Sequence, residues 1–233
     1  MITEENRAIF KNREEASFRL ISEIPLDICT LDNVIVLAIS EGGVFFADKL
    51  AEKLDCSFDI LLTEPIYSRV NERLVIAMVG ETEEIVMHKA LTDSFDISKD
   101  YIYGEAHHKY EKNILKNIDK YRNGTKLQDL HDKYVILIDE CVETGLTMMT
   151  AVKTAISLGA KNIFIAAPIL DNVVYENLVT ICDNIFCPLK INDYISIEYY
   201  YEDIEAFSFE EIEMIMKKNN SQKENKKNEG INV

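Results

Sequence analysis

The chain contains the stretch YVILIDECVETGLT, which runs from Tyr134 to Thr147. Residues 134–138 are continuously apolar and mostly β-branched, a composition typical of a parallel strand buried on both faces. From Met148 to Leu158 the apolar residues fall at helical spacing, and Gly159 ends the helix. The stretch therefore predicts a strand, a pair of acidic residues, a turn and the start of a helix.

The turn that follows the acidic pair has the chemistry of an anion site. Unpaired amides and the positive end of the helix dipole meet there, and both suit a phosphate. Thr144 and Thr147 add hydroxyl donors, and Gly145 lets the backbone approach a ligand closely. Asp139 and Glu140 supply acceptors for vicinal sugar hydroxyls or for Mg2+. An acidic pair or a Thr-Gly turn alone is compatible with a simple helix cap, whereas the whole run favours a site for a phosphorylated sugar.

Four stretches of the chain carry a family resemblance. Residues 135–147 resemble the motif by which type I phosphoribosyltransferases bind 5-phosphoribosyl 1-pyrophosphate (PRPP). FKNREEA, from Phe10 to Ala16, resembles the Phe-x-Asp-Arg-x-Glu-Ala opening of one bacterial branch. LAISEGGV at 37–44 resembles a strand followed by Pro-Arg-Gly-Gly-Val, and YRNG at 121–124 resembles a Tyr-Arg-x-Gly motif. In this order the four stretches extend over most of residues 10–210.

The resemblance implies a reaction and its participants. A nitrogenous small-molecule acceptor would displace pyrophosphate from C1 of PRPP, with Mg2+ as cofactor and nucleotide salvage as the expected context. Relatives commonly form homodimers. Neither the acceptor nor the oligomeric state follows from the residues of this chain.

The resemblance also implies roles for individual residues. Asp139 and Glu140 would hold the ribose hydroxyls, stabilise the positive ring of the transition state and contact Mg2+. Glu143 would be a general base toward the acceptor, although a solvated carboxylate near the helix start explains it equally well. The residues expected to bind the phosphate of PRPP are Cys141, Val142, Thr144, Gly145, Leu146 and Thr147, with Cys141 as a small spacer rather than a nucleophile.

The expected pyrophosphate loop departs from the family pattern. It comprises Ser40, Glu41, Gly42 and Gly43, and an arginine is common in relatives where Glu41 stands. Glu64 likewise replaces a basic residue, and Lys116-Asn117 replaces a basic pair. Five residues are candidates for compensating positive charge, namely Arg69, Arg73, His107, His108 and Lys109.

These departures leave two functions open. One is an active phosphoribosyltransferase. The other is a catalytically impaired module of the same fold that binds a sugar phosphate or nucleotide and acts in regulation. A dinucleotide-dependent enzyme is disfavoured, because SEGGVF after the first strand lacks the G-x-G-x-x-G fingerprint.

Charge and composition exclude other classes. The net charge is −16, and residues 217–233 carry +3, which leaves −19 for residues 1–216. Such a body repels the phosphates of nucleic acid.

We find no signal peptide and no apolar run that is long enough for a membrane span. The five cysteines are odd in number and lack a C-x-x-C motif, which predicts reduced thiols and a cytoplasmic location.

The order of elements predicts an α/β fold with a mostly parallel, twisted sheet flanked by helices. Residues 1–216 are expected to form a single domain with an excursion around residues 64–125, which includes two paired strands and one long helix from Ser98 to about Tyr121. By family analogy, terminal segments form a small hood, to which residues 192–207 contribute. Residues 217–233 are rich in lysine and asparagine without an apolar period, and are expected to be a disordered tail.

Overall fold

The structure of the protein is a computed structural model that describes residues 9–205 and 207–229. The strands are β1 Val34–Ala38, β2 Ser57–Ile60, β3 Thr63–Ser68, β4 Asn71–Gly80, β5 Ile85–Met87, β6 Tyr134–Ile138, β7 Asn162–Ala166, β8 Ile169–Asp171, β9 Asn184–Phe186 and β10 Leu189–Ile191. The helices are α1 Arg13–Ser22, α2 Leu26–Cys29, α3 Glu41–Leu54, α4 Lys89–Ser94, α5 Lys99–Lys109, α6 Leu115–Arg122, α7 Leu146–Ser157, α8 Asn172–Leu178, α9 Ile197–Tyr200 and α10 Phe209–Glu229.

A five-stranded parallel sheet forms the centre, in the order β2-β1-β6-β7-β9. The prediction of a mostly parallel sheet flanked by helices is confirmed. Strands β1 and β6 are direct neighbours, paired in register from Val34 with Tyr134 to Ala38 with Ile138. Because both strands end at the same level, the loops that follow them meet at one edge of the sheet.

The two faces of the sheet are buried in separate apolar clusters. Val36 and Ile136 point into one cluster, together with Phe46 of α3. Leu37 and Leu137 point into the other, together with Val152 of α7. Burial on both sides explains why the strand before the acidic pair is apolar at consecutive positions rather than at alternate ones.

The expected excursion has its own sheet. Strands β3, β4 and β5 pair antiparallel, and β4 and β5 are the two paired strands that the sequence predicts in this region. The long helix predicted from Ser98 to about Tyr121 is present as α5 and α6, and a π-helical turn at Tyr110–Ile114 joins them without a break. Arg122 at the end of α6 donates a hydrogen bond to Glu81 at 2.5 Å, and both side chains are buried. This ion pair ties α6 to the loop after β4.

Residues near the two ends of the described chain pack together beside the sheet. The amides of Ile9 and Phe10 donate to the carbonyl of Tyr200 at 2.9 and 3.0 Å. The rings of Phe10 and Tyr201 lie 5.4 Å apart, centroid to centroid. Strands β8 and β10 form a small parallel pair, and β10 ends at Ile191, shortly before this segment of the chain. The N-terminal segment is thereby fixed against the segment for which a hood is expected.

The C-terminal segment differs from the expectation of a disordered tail. Helix α10 continues to Glu229, and residues 230–233 lie outside the described residues. Ile212 and Met216 anchor this helix in the core. Asn219 is buried, and its amide donates to the carbonyl of Phe58 at 2.7 Å. Strand β2 is an edge strand, so Asn219 satisfies a backbone group that a neighbouring strand would otherwise cover. Polar composition alone does not reveal this contact.

Two further properties concern membranes and thiols. Within the described residues, no helix combines the length and the apolar character needed to cross a bilayer. None of the five cysteines, Cys29, Cys56, Cys141, Cys182 and Cys187, forms a disulfide in the structure.

The contact of Asn219 with β2 makes a testable prediction. We expect Asn219→Ala to lower the free energy of unfolding by about 1–2 kcal/mol, because it leaves a buried carbonyl unpaired. Lys217→Ala is the matched control, since its ion pair with Glu213 is exposed and should contribute less than about 1 kcal/mol. Urea denaturation of the two variants measures both effects. Equal, negligible changes would show that residues beyond 216 do not pack on the sheet.

Candidate active site

The in-register pairing of β1 and β6 brings the two predicted loops together. The amide of Ile39 donates to the carbonyl of Ile138 at 3.1 Å, which continues the pairing beyond the strands. One residue further, the hydroxyl of Ser40 donates to the carboxylate of Asp139. The expected pyrophosphate loop and the acidic pair, which lie about a hundred residues apart in sequence, therefore form one site.

The close approach of the two loops leaves little space beside either glycine of the first loop. A Cβ atom at Gly42 would lie 2.5 Å from Oε2 of Glu140, and one at Gly43 would lie 2.8 Å from the carbonyl oxygen of Ile138. The Oγ of Ser40 also accepts a hydrogen bond from the amide of Gly43 at 2.9 Å, which caps α3. Ser40 thus fixes the start of a helix and orients Asp139.

The second loop, which follows β6, is paired through its backbone with β8 on one side. The amide of Val142 donates to the carbonyl of Ile169 at 2.9 Å, so this amide is already paired. Gly145 has a positive φ of 74°, a conformation that favours glycine, and it begins α7. In the part of the chain that the structure describes, the amides of residues 143–147 donate to no backbone or side-chain acceptor. Such orphan amides are expected at a helix start.

A cavity of about 180 Å³ lies in this second loop. Its lining contains most of the predicted phosphate-binding residues, namely Cys141, Val142, Thr144, Gly145 and Thr147, together with Asp139, Glu143, Ile39 and Met148. The predicted residue Leu146 is buried and does not line the cavity. Glu143 and Thr144 are exposed. Orphan amides, threonine hydroxyls and a carboxylate therefore converge on one small concave space.

The two carboxylates of the acidic pair are in different electrostatic states. Burial raises the pKa of Asp139 to about 7, although hydrogen bonds from the Ser40 hydroxyl and the Glu140 amide act in the opposite direction. Asp139 therefore exchanges a proton near neutral pH. Burial also raises the pKa of the Cys141 thiol far above its usual range, which leaves it protonated and supports its interpretation as a spacer.

Glu140 is instead paired with an arginine that the sequence analysis did not single out. Nε of Arg13 lies 2.5 Å from Oε1 of Glu140, and Nη2 lies 3.4 Å from Oε2. The Arg13 guanidinium also stacks on the Phe207 ring at 4.4 Å and donates to the carbonyl of Glu205. Arg13 lies within the FKNREEA stretch that carries part of the family resemblance. That resemblance is the feature of the sequence from which Arg13 could have been selected as a candidate site residue.

Glu41 and Glu64, which stand where relatives carry basic residues, each contact residues of the excursion. Glu41 accepts a hydrogen bond from the hydroxyl of Tyr121 and lies 3.8 Å from Nζ of Lys120. Glu64 accepts from the side-chain amide of Asn113 at 2.8 Å, in the π-helical turn. Both carboxylates are thereby oriented by residues that follow α5 in the chain.

The structure places three of the predicted compensating cations elsewhere. Arg69 stacks on Tyr101, His107 lies 3.7 Å from Glu83, and Lys109 lies over the Tyr67 ring. Arg73 and His108, the other two candidates, are exposed and line neither of the cavities beside the acidic pair. The cation beside the acidic pair is Arg13.

Comparison with known proteins identifies the family to which the chain belongs. The family model for the phosphoribosyl transferase domain matches residues 5–204. Two proteins of Mycobacterium tuberculosis, from strains CDC 1551 / Oshkosh and ATCC 25618 / H37Rv, are named provisionally as phosphoribosyl transferases, and each is 21% identical over 154 residues. The match covers 66% of this chain but 34% of those proteins, so the chain spans about a third of the length of the curated relatives it matches.

A solved structure supports the fold. TT1426 from Thermus thermophilus is similar to this chain with a TM-score of 0.73 at 24% sequence identity, and the match covers 89% of this chain and 97% of that one. At this identity the likeness concerns the fold. The family model, which extends over most of the chain, concerns the sequence itself. The chain therefore belongs to the phosphoribosyl transferase family.

Proposed function

We propose that the protein binds PRPP and transfers its phosphoribosyl group to a nitrogenous small molecule, with release of pyrophosphate. Family membership supports a transferase of this class. The observation that carries the choice of ligand is the cavity of about 180 Å³ beneath the unpaired amides of residues 143–147, with Asp139 on its wall. A monoester phosphate fits the amides, and a sugar ring fits the carboxylate beside them.

The proposed roles follow from where each group lies. Thr144, Gly145 and Thr147 bind the 5′-phosphate, while Asp139 and Glu140 accept hydrogen bonds from the ribose hydroxyls. As the bond from C1 to the pyrophosphate oxygen breaks, its electron pair leaves with pyrophosphate, and the acceptor nitrogen forms the new bond to C1. The carboxylates stabilise the positive charge that develops on the ring. Glu143, which is exposed at the cavity, takes the proton released by the acceptor.

The acidic pair also fits Mg2+ that arrives with the substrate. Among the described residues no group of three or more His, Cys, Asp or Glu side chains is arranged to hold a metal ion. Mg2+ in phosphate chemistry usually needs only one or two carboxylates, with water and phosphate oxygens as its other ligands. Asp139 and Glu140 would supply those carboxylates, and the ion would supply positive charge to the pyrophosphate group.

The setting that we propose is cytoplasmic, since the five cysteines form no disulfide, and without a nucleic-acid partner, since the net charge is −16. A homodimer remains part of the proposal on the strength of the family resemblance alone.

Pyrophosphate release tests the proposed reaction. We expect incubation with PRPP, Mg2+ and a panel of purines, pyrimidines and amines to release pyrophosphate with at least one acceptor. Asp139→Asn should lower this rate by about 100-fold or more, because it removes charge where the transition state becomes positive. Asp100→Asn, an exposed position at the start of α5, is the matched control and should leave the rate unchanged.

Two results would contradict the reaction. If a plain nucleoside 5′-monophosphate binds as tightly as PRPP and no acceptor gives turnover, the protein is a binding module of the same fold. If neither compound binds, the proposed site is wrong. Calorimetric titration with both compounds distinguishes these results.

The raised pKa of Asp139 predicts a pH dependence. An ionised carboxylate is the better acceptor for ribose hydroxyls, and Asp139 ionises as the pH rises through about 7. We therefore expect the affinity for ribose 5-phosphate to rise between about pH 6.5 and about pH 8.5, where the phosphate itself is largely dianionic. Asp139→Asn should remove this rise. The same pH profile in both proteins would show that another group titrates.

A further inference from the structure

Arg13 connects three parts of the molecule that meet at the acidic pair. It begins α1, pairs with Glu140 after β6, and contacts Glu205 and Phe207 in the segment before α10. We propose that Arg13 binds the pyrophosphate group of PRPP and that this exchange releases Glu140 for the ribose. The inference rests on the proposed function, and it assigns the positive charge that Glu41 and Glu64 fail to supply.

The first step concerns position. The Glu140 carboxylate lies between Arg13 and the first loop: Oε1 is 2.5 Å from Nε of Arg13, and Oε2 would be 2.5 Å from a Cβ atom at Gly42. Arg13 and Gly42 therefore flank the same carboxylate. They also line the same cavity, of about 300 Å³. A pyrophosphate group bound at the Gly42 turn would lie within reach of the guanidinium.

The second step concerns charge. Within the described residues, Arg13 is the one cation that lines this cavity, and it faces Glu41, Glu140 and Glu198. The remaining lining residues are Gly42 and the apolar Ile197, Ile204 and Phe207. Lys120, a cation that contacts Glu41, lies 3.8 Å from that carboxylate and over the Phe209 ring, and it does not line the cavity. The binding of a polyanion in this cavity therefore depends on Arg13 and on the Mg2+ that accompanies the polyanion.

The third step concerns exchange. The Arg13 side chain is 12% exposed and that of Glu140 is 13% exposed, so the pair is largely shielded from water. Phe207 and the carbonyl of Glu205 hold the guanidinium through groups other than Glu140. The planar guanidinium forms paired hydrogen bonds with phosphate oxygens as readily as with a carboxylate. Pyrophosphate can thus replace Glu140 at Nε and Nη2 while the arginine keeps its position.

Calorimetric titration with three ligands tests this assignment. Wild type, Arg13→Gln, Arg13→Lys and the control Arg19→Gln would each be titrated with PRPP, inorganic pyrophosphate and ribose 5-phosphate, in the presence of Mg2+. Arg19 lies on the same helix, pairs with Glu15 and lines neither cavity at the site. We expect Arg13→Gln to weaken PRPP and pyrophosphate by about 10- to 100-fold, the range for losing a hydrogen bond between charged groups. Ribose 5-phosphate should bind to Arg13→Gln at least as tightly as to wild type, because the arginine no longer holds Glu140. Arg13→Lys should recover part of the loss for PRPP and pyrophosphate, and Arg19→Gln should match wild type.

A second variant covers the case in which Arg13→Gln does not fold. Glu140→Gln keeps the arginine and removes its competitor, so pyrophosphate should bind at least as tightly as to wild type, while ribose 5-phosphate binds more weakly. The role of Arg13 would be overturned if Arg13→Gln weakened the binding of all three ligands equally or changed none of them. It would also be overturned if Glu140→Gln bound pyrophosphate more weakly than wild type. A wild-type protein that binds ribose 5-phosphate but shows no extra affinity for PRPP would also overturn it. If wild type binds none of the three, the proposed function itself fails.

Discussion

The structure of the site depends on the pairing of β1 with β6. These strands run parallel, in register, and end together at Ala38 and Ile138. Each strand is followed by a loop that opens a helix, so two helix starts and an acidic pair meet at one edge of the sheet. A shift of register by one residue would turn every side chain of β6 to the opposite face and separate Ser40 from Asp139.

The crowding at this edge accounts for the residue types around it. A side chain at Gly43 would clash with the backbone carbonyl of Ile138, and a side chain at Gly42 would have to displace the carboxylate of Glu140. Two neighbouring carboxylates at such a place are costly unless their charge is neutralised or shared. The raised pKa of Asp139 reduces its charge, and the hydroxyl of Ser40 donates a hydrogen bond to it. The charge of Glu140 is balanced by Arg13. A ligand that enters the site must therefore exchange with partners that are already present.

Local pattern explains which parts of this arrangement could be predicted. The apolar strand and the Thr-Gly turn are each specified by residues within a few positions, and the structure contains both. Asp139, Glu140 and the second loop could be proposed as a site for the same reason. The pairing of Arg13 with Glu140 joins residues 127 positions apart, and no periodicity or composition reports such a contact.

The C-terminal helix and the π-helical turn within the long helix were not predicted, for related reasons. From Lys217 to Glu229 the chain is polar, so no apolar period marks a helix there, and the buried contact that the described side chains show in this part is that of Asn219 with an edge strand. The π-helical turn at Tyr110–Ile114 inserts itself into a segment whose pattern fits a continuous helix. This turn presents Asn113 to Glu64, a contact that depends on tertiary packing.

A crystal structure with ribose 5-phosphate and Mg2+ tests the central claim most directly. The claim predicts phosphate oxygens within about 3 Å of the amides of residues 144–147, with the ribose hydroxyls against Asp139. Phosphate bound elsewhere, with the second loop empty and Asp139 still paired only with Ser40, would contradict it.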